Sequence, residues 1–471
     1  MGLPSRCHSG RCAAVLLMLL TLRLASGQDL LDALTRRPGA RVLRTESADN
    51  SSQYALLLPL QGRTGFVRRR SLLRAAVMPV DGAVREVGYF YVTLGLGTPS
   101  KDYQLIIDTG STITYVPCSD CRHCGGSHKH PPFDPAKSST STMLGCNTPK
   151  CNCGTPNCQC FQSKCFYSRT YAERSSSEGF MLEDVMRFLD VEGSVASDSI
   201  APEVRVVFGC EYTETGEIYR QVADGILGMG NNDNALQSQL VQRNVIADTF
   251  SLCFGYPHGG TMLLGDVSLT RASEMVWTPL KPGWQAHYYT ITVQQLLVGG
   301  VAVASEPREY AQGYGSVLDS GTTFTYFPTR AFNSFAALIR KAAQDKGLQT
   351  RPGADPQYND ICWKGAPHDI TDLDSVFPRV ELVMAGMTAG TDSVLVLKPL
   401  QYLFVLGTGS YCLGVFDNGN AGTLLGGITV RNVLVQYDRR TNKAGFLPLD
   451  SCSDVSSLQL QNSRKKRQQC Q

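Results

Sequence analysis

The sequence predicts a mainly β protein built as two related lobes with a cleft between them. Short runs rich in Val, Ile, Tyr and Thr recur along the chain, separated by Gly, Pro, Asn and Asp, which is typical of strands joined by turns. The 45 glycines among 471 residues suit such turns and bulges. A motif of twelve residues occurs twice, and this duplication predicts two copies of one lobe. The clearest strand patterns are Tyr89 to Gly95, Tyr103 to Ile107, Arg205 to Phe208, Tyr288 to Val293 and Val394 to Leu397.

Helical periodicity is rare in the sequence. It predicts helices over Asn234 to Arg243 and Thr329 to Gln344, and a third over Met181 to Leu189. A new strand-rich block begins near Ser268 to Pro282, where we expect the boundary between the lobes. The predicted lobes are residues 81–275, with a cysteine-rich insertion over 118–165, and residues 276–452, followed by a polar basic tail over 453–471.

The N-terminal residues 1–27 resemble a signal peptide. Arg6 and Arg11 precede an apolar run from Ala13 to Leu22, and small residues follow it. The run is too short to span a bilayer, so we favour cleavage over the alternative of a signal anchor. No later stretch approaches the roughly 20 apolar residues that a membrane helix needs, and we expect no stable membrane insertion.

Charge is distributed unevenly along the chain. Residues 28–80 carry a net charge of +5 and residues 81–471 a net charge of −5, within a total of +3. This split favours a basic propeptide that neutralises an acidic body, released by cleavage near Arg68 to Arg70. A nucleic-acid-binding arm is less favoured because apolar residues from Leu56 to Leu60 interrupt the charge, so we expect no nucleic-acid partner. A basic linker remains the alternative.

Cysteine usage indicates an oxidising compartment. The sequence has 17 cysteines, and nine of them fall between Cys118 and Cys165. We therefore expect disulfides and a protein of the secretory pathway, either secreted or held in an acidic vacuole or lysosome-like compartment. Fifteen cysteines follow the predicted signal peptide, and an odd number leaves at least one free or paired between chains; Cys470 is the candidate.

A zinc site is the rival interpretation of the cysteine-rich block. Two residues separate each cysteine from the next in the series Cys118, Cys121 and Cys124. Histidines lie nearby at His123, His128 and His130. The block nevertheless lacks a clean pair of Cys-x2-Cys knuckles, and an oxidising compartment favours disulfides. We therefore predict no metal and no cofactor.

The repeated motif reads IIDTGSTITYVP over Ile106 to Pro117 and VLDSGTTFTYFP over Val317 to Pro328, with six identities in twelve positions. A second pair of similar segments follows downstream. Ala223 to Gly230 reads ADGILGMG and Gly422 to Gly427 reads GTLLGG. The shared order predicts that each lobe donates one aspartate loop to a common site.

Paired aspartates on tight turns can perform acid-base chemistry. The glycine in each turn lets the two backbone segments approach each other closely. Flanking hydroxyl and amide groups can hydrogen-bond the carboxylates. Two neighbouring carboxyl groups do not both ionise easily, so they share a proton. The ionised member can then take a proton from water while the protonated member hydrogen-bonds a substrate carbonyl. The alternative, that each aspartate only caps a turn, is disfavoured by two copies in matching contexts.

The two motifs resemble the double active-site signature of pepsin-type aspartic proteases, over about Glu86 to Cys452. The cysteine-rich block, TYAERSSSEG, VFGCEYTETGE, ADGILGMG, YCLGVF and TLLGGITVRNVLVQYDRRTNKAGF are similar to the cysteine-rich, nepenthesin-like branch of plants and algae, and more distantly to plasmepsin V. The resemblance implies a bilobal pepsin-like fold with an active-site cleft between two related β lobes. It also implies an aspartic endopeptidase made as a zymogen, which acts on polypeptides and is a monomer.

Carried over by position, the resemblance makes Asp108 and Asp319 the catalytic dyad and Tyr171 the flap tyrosine that closes over substrate. Ser320 stands where Thr is commoner, and Tyr115 stands where many members have Trp, which leaves open the hydrogen bond expected behind Tyr171. The residues expected to support the dyad are Thr109, Gly110, Ser111, Ser320, Gly321 and Thr322. The resemblance also implies a Cys362–Cys412 disulfide, and we expect Cys210 and Cys452 to form a long-range clamp.

The sequence disfavours two other function classes. A catalytically inactive pepsin-fold binding or inhibitor protein is disfavoured because both aspartates, both adjoining glycines and Tyr171 are intact. A nuclease or glycosidase using two carboxylates is disfavoured because the sequence shows neither a sugar platform nor a basic groove.

Overall fold

A computed structural model describes most of the chain. The described residues are 41–46, 52–57, 75–84, 88–125, 127–151, 158–188, 203–266, 269, 271–281, 287–353, 360–453 and 455. The predicted signal peptide, nearly all of the predicted basic tail and Cys470 lie outside them. The chain divides into two compact units, Met1–Arg70 and Ser71–Gln471.

The first unit contains one described hairpin. Its strands are β1 (Arg41–Glu46) and β2 (Ser52–Leu57), which pair antiparallel with Arg41 opposite Leu57. Both strands lie within the predicted propeptide, whose inhibitory role stays a prediction.

The described part of the second unit is mainly β, which confirms the predicted fold class. Its strands up to residue 279 are β3 (Ala75–Ala83), β4 (Tyr89–Leu96), β5 (Lys101–Asp108), β6 (Tyr115–Pro117), β7 (Thr142–Met143), β8 (Cys158–Phe161), β9 (Lys164–Thr170), β10 (Ser176–Phe188), β11 (Val204–Thr215), β12 (Gly225–Gly228), β13 (Thr249–Phe254), β14 (Gly260–Gly265) and β15 (Val276–Pro279). The later strands are β16 (Thr290–Ile291), β17 (Val293–Val298), β18 (Val301–Ala302), β19 (Ser316–Leu318), β20 (Thr325–Phe327), β21 (Gln349–Arg351), β22 (Cys362–Lys364), β23 (Val380–Ala385), β24 (Asp392–Leu397), β25 (Leu403–Gly407), β26 (Ser410–Leu413), β27 (Val415–Asp417), β28 (Thr423–Leu425), β29 (Val433–Asp438) and β30 (Lys443–Pro448).

Helices are short and few in the described residues. The α-helices are α1 (Leu236–Gln242), α2 (Pro307–Tyr310) and α3 (Thr329–Asp345). Two of them confirm the helices predicted over Asn234 to Arg243 and Thr329 to Gln344. The 3-10 helices are Pro135–Lys137, Ile218–Arg220, Ala272–Glu274, Ile370–Ser375, Pro399–Gln401 and Gly427–Val430. No helix in the described part of the chain is both long and apolar enough to cross a membrane.

One long sheet runs through the second unit in the order β15-β30-β29-β13-β14-β3-β4-β5-β12-β6-β11-β10-β9-β8. Strands from both ends of the unit lie in it, because β3 pairs with β14, β14 with β13, and β13 antiparallel with β29, Thr249 opposite Asp438. The described strands after β15 also form three smaller sheets, ordered β16-β19-β28-β20-β27, β18-β17-β23-β24 and β21-β22-β26-β25.

Two sets of three strands have the same topology. In the first, β5 pairs parallel with β12, and β12 pairs antiparallel with β6 through Ile226 and Tyr115. In the second, β19 pairs parallel with β28, and β28 pairs antiparallel with β20 through Leu424 and Tyr326. Each set contains one copy of the duplicated motif and its downstream partner. This match confirms the two related halves that the sequence predicts.

The core contains buried side chains of the strands that lead to the aspartate loops. Leu105 and Ile107 of β5 are fully buried, and aromatic rings stack at Phe90 against Phe254, with centroids 4.4 Å apart. Full burial of one such side chain contributes about 1.5–3 kcal/mol to folding. This packing holds the end of β5, where the first aspartate loop begins.

The helix predicted over Met181 to Leu189 is wrong. Residues 181–188 belong to β10, which pairs antiparallel with β11 on one side and with β7 and β4 on the other, and Leu189 lies outside the described residues. Nearly every side chain of β10 from Phe180 onward is buried or partly buried. A strand covered on both faces has a continuous apolar run rather than alternation, and such a run cannot be told from a buried helix by periodicity.

Six disulfides lie between described residues: Cys118–Cys210, Cys121–Cys124, Cys146–Cys160, Cys151–Cys165, Cys253–Cys452 and Cys362–Cys412. The Cys362–Cys412 bond is the one that the resemblance implied. The expected Cys210–Cys452 clamp is wrong, and the reason is strand register. The parallel pairing of β11 with β6 places Cys210 opposite Val116, beside Cys118.

Within the part of the chain that the structure describes, three groups of side chains have the spacing of metal ligands, and each contains cysteines. All of those cysteines are disulfide-bonded. A disulfide sulfur is not the thiolate that binds zinc, so this geometry favours the disulfide interpretation of the block. The prediction of no metal is left to experiment.

Candidate active site

The two predicted aspartates lie at the ends of matching strands. Asp108 is the last residue of β5, and Asp319 directly follows β19. The segment after each strand turns through a glycine whose amide donates to the carboxylate. Gly110 N donates to Asp108 Oδ1 at 2.8 Å, and Gly321 N donates to Asp319 Oδ1 at 3.0 Å. The buried strands therefore fix where each carboxylate stands.

The two aspartate loops face each other closely. A Cβ atom added to Gly110 would lie 2.7 Å from Asp319 Oδ1, and one added to Gly321 would overlap Asp108. Only glycine leaves room for the opposite carboxylate at these positions. The structure thus brings Asp108 and Asp319 into one site.

Hydroxyl groups join the loops behind the carboxylates. Thr109 N donates to Ser320 Oγ at 2.9 Å, and Ser320 N donates to Thr109 Oγ1 at 2.9 Å. Each hydroxyl in turn donates to a carbonyl behind the opposite loop, Thr109 to Leu318 O at 3.0 Å and Ser320 to Ile107 O at 2.8 Å. Serine makes every bond that this position requires, so the departure from Thr costs only a methyl group.

The other two predicted supports differ from each other. Thr322 Oγ1 donates to Asp319 Oδ2 at 2.8 Å. Its counterpart Ser111 is buried, and its hydroxyl has no hydrogen-bond partner among the described residues. The site is therefore asymmetric, with more donors on Asp319.

The electrostatic environment favours a proton on Asp319. Burial, together with the negative charge of Asp108, raises the pKa of Asp319 to about 7, against the opposing hydrogen bonds from Thr322 and Gly321. Asp319 thus keeps its proton to a higher pH than an ordinary aspartate does.

Tyr171 stands at the edge of the site, directly after β9 in the β9–β10 hairpin. Its hydroxyl donates to Tyr115 Oη at 3.2 Å. Tyr115 is buried, and its ring stacks on Tyr167 with centroids 6.0 Å apart. The hydrogen bond left open by the absence of Trp is therefore made by a second tyrosine. Burial raises the pKa of both Tyr171 and Tyr115, so both phenols stay neutral.

Arg169 is a residue of this site that the sequence analysis missed. It lies on β9, and one of its terminal nitrogens donates to Gly110 O at 3.2 Å. Its guanidinium carbon is 5.7 Å from the centre of the Tyr171 ring. The alternation of side chains along a strand could have predicted this position. Arg169 lies two residues after Tyr167 and four after Cys165, so all three share the buried face of β9.

A cleft of about 980 Å³ opens over the two aspartates. Asp108 and Asp319 line it together with Arg169 and Tyr171. Apolar side chains of the repeated strands, Ile226 and Leu424, contribute to its walls. The volume is that of a large ligand site, wide enough for an extended chain of several residues.

Fold, site and sequence together define a class of protein. Residues 90–266 match the family described as Xylanase inhibitor N-terminal, and residues 288–448 match the one described as Xylanase inhibitor C-terminal. The chain belongs to the pepsin-like aspartic protease family. The predicted lobe boundary at 275 and 276 falls between the two matched ranges and remains a prediction.

Individual relatives are similar over most of their length. Aspartyl protease family protein 1 of Arabidopsis thaliana is 32% identical over 377 residues, covering 78% of this chain and 68% of the relative. Aspartic proteinase 39 of the same plant is 28% identical over 405 residues, covering 82% and 80%. Among solved structures, soybean basic 7S globulin has a TM-score of 0.62 at 18% identity over 81% of this chain and 99% of the globulin. Conglutin gamma from lupine seeds has a TM-score of 0.63 at 20% identity over 81% and 98%.

Proposed function

We propose that this protein is an aspartic endopeptidase whose catalytic groups are Asp108 and Asp319. The observation that carries the proposal is the pair of carboxyl groups on facing loops, one of them with a pKa raised to about 7. Two carboxyl groups in different protonation states supply a general base and a general acid in one place. The relatives named as aspartic proteases support this activity.

In the proposed mechanism, ionised Asp108 takes a proton from a water molecule as the water oxygen attacks the peptide carbonyl carbon. Protonated Asp319 gives its proton to the carbonyl oxygen, which forms a tetrahedral diol. Asp108 then returns its proton to the amide nitrogen as the carbon–nitrogen bond breaks, and one diol hydroxyl returns its proton to Asp319. Both carboxyl groups regain their starting protonation states, and no covalent intermediate forms.

The surrounding residues act by holding this geometry. The amides of Gly110 and Gly321 orient one oxygen of each carboxylate, and Thr322 orients a second oxygen of Asp319. The mutual bonds of Thr109 and Ser320 keep the two loops in register. Tyr171, anchored on Tyr115, is placed to cover an extended peptide and to exclude water from the dyad.

The proposed substrate is a polypeptide bound in extended form along the cleft. We further propose that residues 1–27 are a signal peptide and 28–80 a propeptide, so that the enzyme enters the secretory pathway as a zymogen. Its destination would be the cell exterior or an acidic vacuole-like compartment, where it acts as a monomer. The disulfides of the body support a passage through an oxidising compartment.

A second candidate function is a binding or inhibitor protein without activity. The descriptions of the matched families, which name xylanase inhibitors, and the globulins among the structural neighbours favour it. The complete set of dyad, glycines, hydroxyl bridge and flap tyrosine favours the protease, since a binding surface needs none of them.

A direct assay separates the two functions. Acid-treated recombinant protein is incubated with a peptide library, with and without pepstatin, and the products are sequenced. We expect pepstatin-sensitive cleavage, and we expect its loss in Asp108→Asn and in Asp319→Asn, because each change removes the base or the acid. If folded wild-type protein, after removal of residues 1–70, cleaves no peptide between pH 3 and 7, the binding function is supported instead.

A further inference from the structure

Arg169 places a buried positive charge in the cleft. Its side chain is 9% exposed, and it lines the same cavity as the dyad. Burial of a charged group is costly unless an opposite charge or several hydrogen bonds compensate it. The contacts of this guanidinium therefore matter for what the cleft can bind.

Those contacts leave the charge without a counterion. Among the described residues, no carboxylate oxygen lies within 4.0 Å of the Arg169 nitrogens, since no ion pair includes this residue. One terminal nitrogen donates to Gly110 O, and Nε is buried with no hydrogen-bond partner in that part of the chain. The guanidinium thus has the Gly110 carbonyl as its main-chain acceptor and the Tyr288 hydroxyl beside it, and its other donors are available to a ligand.

The remaining charges in the cleft do not neutralise Arg169. Glu173 and Glu217 line the cavity but are exposed, and Glu217 lies 3.8 Å from Arg220. His287 also lines the cleft. Burial and the positive charge of Arg169 lower the pKa of this histidine, so it does not add a second cation. The cleft therefore holds the dyad and two exposed glutamates, none of which lies within 4.0 Å of the enclosed Arg169 guanidinium.

We propose that Arg169 forms a carboxylate-binding subsite and selects substrates with an acidic group close to the scissile bond. A guanidinium presents parallel N–H donors that match the two oxygens of a carboxylate. The subsite is close to the scissile bond because Gly110 links it to the dyad. The carbonyl of Gly110 accepts from the guanidinium, and the Cα of Gly110 lies against Asp319. This inference rests on the proposed protease function, and it adds a substrate class to it.

Two sources can supply such a carboxylate: an Asp or Glu side chain, or the free C-terminus of a short peptide. The test uses paired peptides with one Glu or one Gln, moved through the three positions on each side of the cleavage site. A second set ends at each of these positions with either a free or an amidated C-terminus. The ratio of kcat/KM within each pair measures recognition of the carboxylate and is independent of the overall activity.

For wild-type enzyme we expect a Glu:Gln or free:amidated ratio of roughly 10 to 100 at one position, the range expected for a hydrogen-bonded charge pair. Arg169→Gln should reduce that ratio to about 1, and Arg169→Lys should retain part of it, because it keeps the charge and loses the fork. Arg174→Gln is the matched control. It removes the same charge from the same hairpin, at an exposed residue that does not line the cleft, and should leave the ratio as in wild type.

The dependence on pH is a second readout. The preference for Glu should disappear as pH falls below about 4, where the peptide carboxylate takes up a proton. A residue that only supported the flap would alter both peptides of a pair equally at every pH. Equal losses for Glu and Gln in Arg169→Gln, or wild-type ratios near 1 at every position and terminus, would overturn the proposal.

The carboxylate-binding subsite can be tested separately from the protease function. If wild-type protein cleaves no peptide, equilibrium binding of the same fluorescent peptide pairs, read by anisotropy, decides the subsite alone. Binding of the acidic member that is at least about tenfold tighter and depends on Arg169 supports the subsite without catalysis. Equal binding of both members overturns it.

Discussion

At the scale of single residues, the candidate site is held together by hydroxyl groups rather than by charges. The Thr109 and Ser320 side chains each accept from an amide of the opposite loop and donate to a carbonyl behind that same loop, and both are buried. Because these hydroxyl groups carry no charge, the pKa of Asp319 is set mainly by burial and by the neighbouring carboxyl group of Asp108.

Ser320→Ala should therefore lower both stability and activity. It removes one buried donor and leaves Thr109 N without its acceptor, at a cost of about 1–3 kcal/mol in the free energy of unfolding. Ser320→Thr restores the hydroxyl and serves as the control. Urea denaturation and peptide hydrolysis measure the two effects, and an alanine variant as stable as wild type would contradict the bridge.

The protonation of Asp319 gives a prediction with a definite sign. The proposed mechanism needs this carboxyl group protonated, so kcat should fall as pH rises through about 7. Thr322 donates to the ionised form and thereby lowers the pKa of Asp319. Thr322→Val removes that donor at nearly constant volume, and the alkaline limb of the pH profile should move to higher pH. A limb that stays fixed, or moves to lower pH, would argue against Asp319 as the acid.

At the scale of elements, β11 carries buried acidic residues outside the dyad, close to the cysteine-rich block. Glu211 and Glu214 are buried, and burial together with Glu214 raises the pKa of Glu211 well above its usual range. The ring of His128 lies against Glu214, 3.7 Å away. Its two nitrogens face carbonyl oxygens, Nδ1 to Ala223 O at 2.8 Å and Nε2 to Cys124 O at 2.6 Å. Two acceptors favour a ring that is protonated on both nitrogens.

This cluster should make the fold less stable as pH rises. Burial opposes the charge on His128, yet Glu214 and the two carbonyls together raise its pKa to about 9. A raised pKa in the folded state contributes stability that is complete below the unfolded value of about 6.5 and is lost between about 6.5 and 9. Glu211, also raised, acts with the same sign above about 4.5.

Urea denaturation at pH 6 and pH 9 tests the cluster. We expect wild type to lose on the order of 1–2 kcal/mol between these values through His128. His128→Gln cannot take up the proton and should lose less. If the variant and wild type change by the same amount, His128 does not carry the effect.

Elements also show what the sequence can predict and where it fails. The dyad loops and the Thr109–Ser320 bridge lie inside the duplicated motif, so comparing the copies with each other and with the family was enough to find them. The strand β10 was missed because both of its faces are covered. The position of Arg169 and the partners of Cys210 and Cys452 depend on which distant strands lie side by side, and local patterns do not encode that register.

At the scale of the whole molecule, the division after Arg70 bears on activation. The second unit starts at Ser71, and β3, which begins at Ala75, pairs with β14 of the body. Cleavage near Arg68 to Arg70 would therefore leave β3 in the mature protein, with a boundary earlier than the residue 80 expected from charge alone.

Protein starting at Gln28 and protein starting at Ser71 should differ in activity near neutral pH. Residues 28–80 carry a net charge of +5 against −5 for the rest, and acid weakens their attraction by protonating carboxylates while arginine stays charged. We expect the two forms to converge as pH falls, when both are assayed on one peptide. Equal activity near neutral pH would contradict an inhibitory propeptide.

The pairing of β13 with β29 has a consequence for biosynthesis. Strand β13 ends at residue 254, but its neighbour in the sheet begins only at Val433, and the Cys253–Cys452 bond joins the same distant segments. While the chain is being translated, the first half has an open sheet edge, with unpaired backbone groups that invite aggregation. That edge closes only after nearly the last residue of the body has left the ribosome. A nascent chain stalled before residue 433 thus holds a complete first aspartate loop on an unfinished sheet, and chaperones that shield strand edges would be needed until residues 433–438 have emerged.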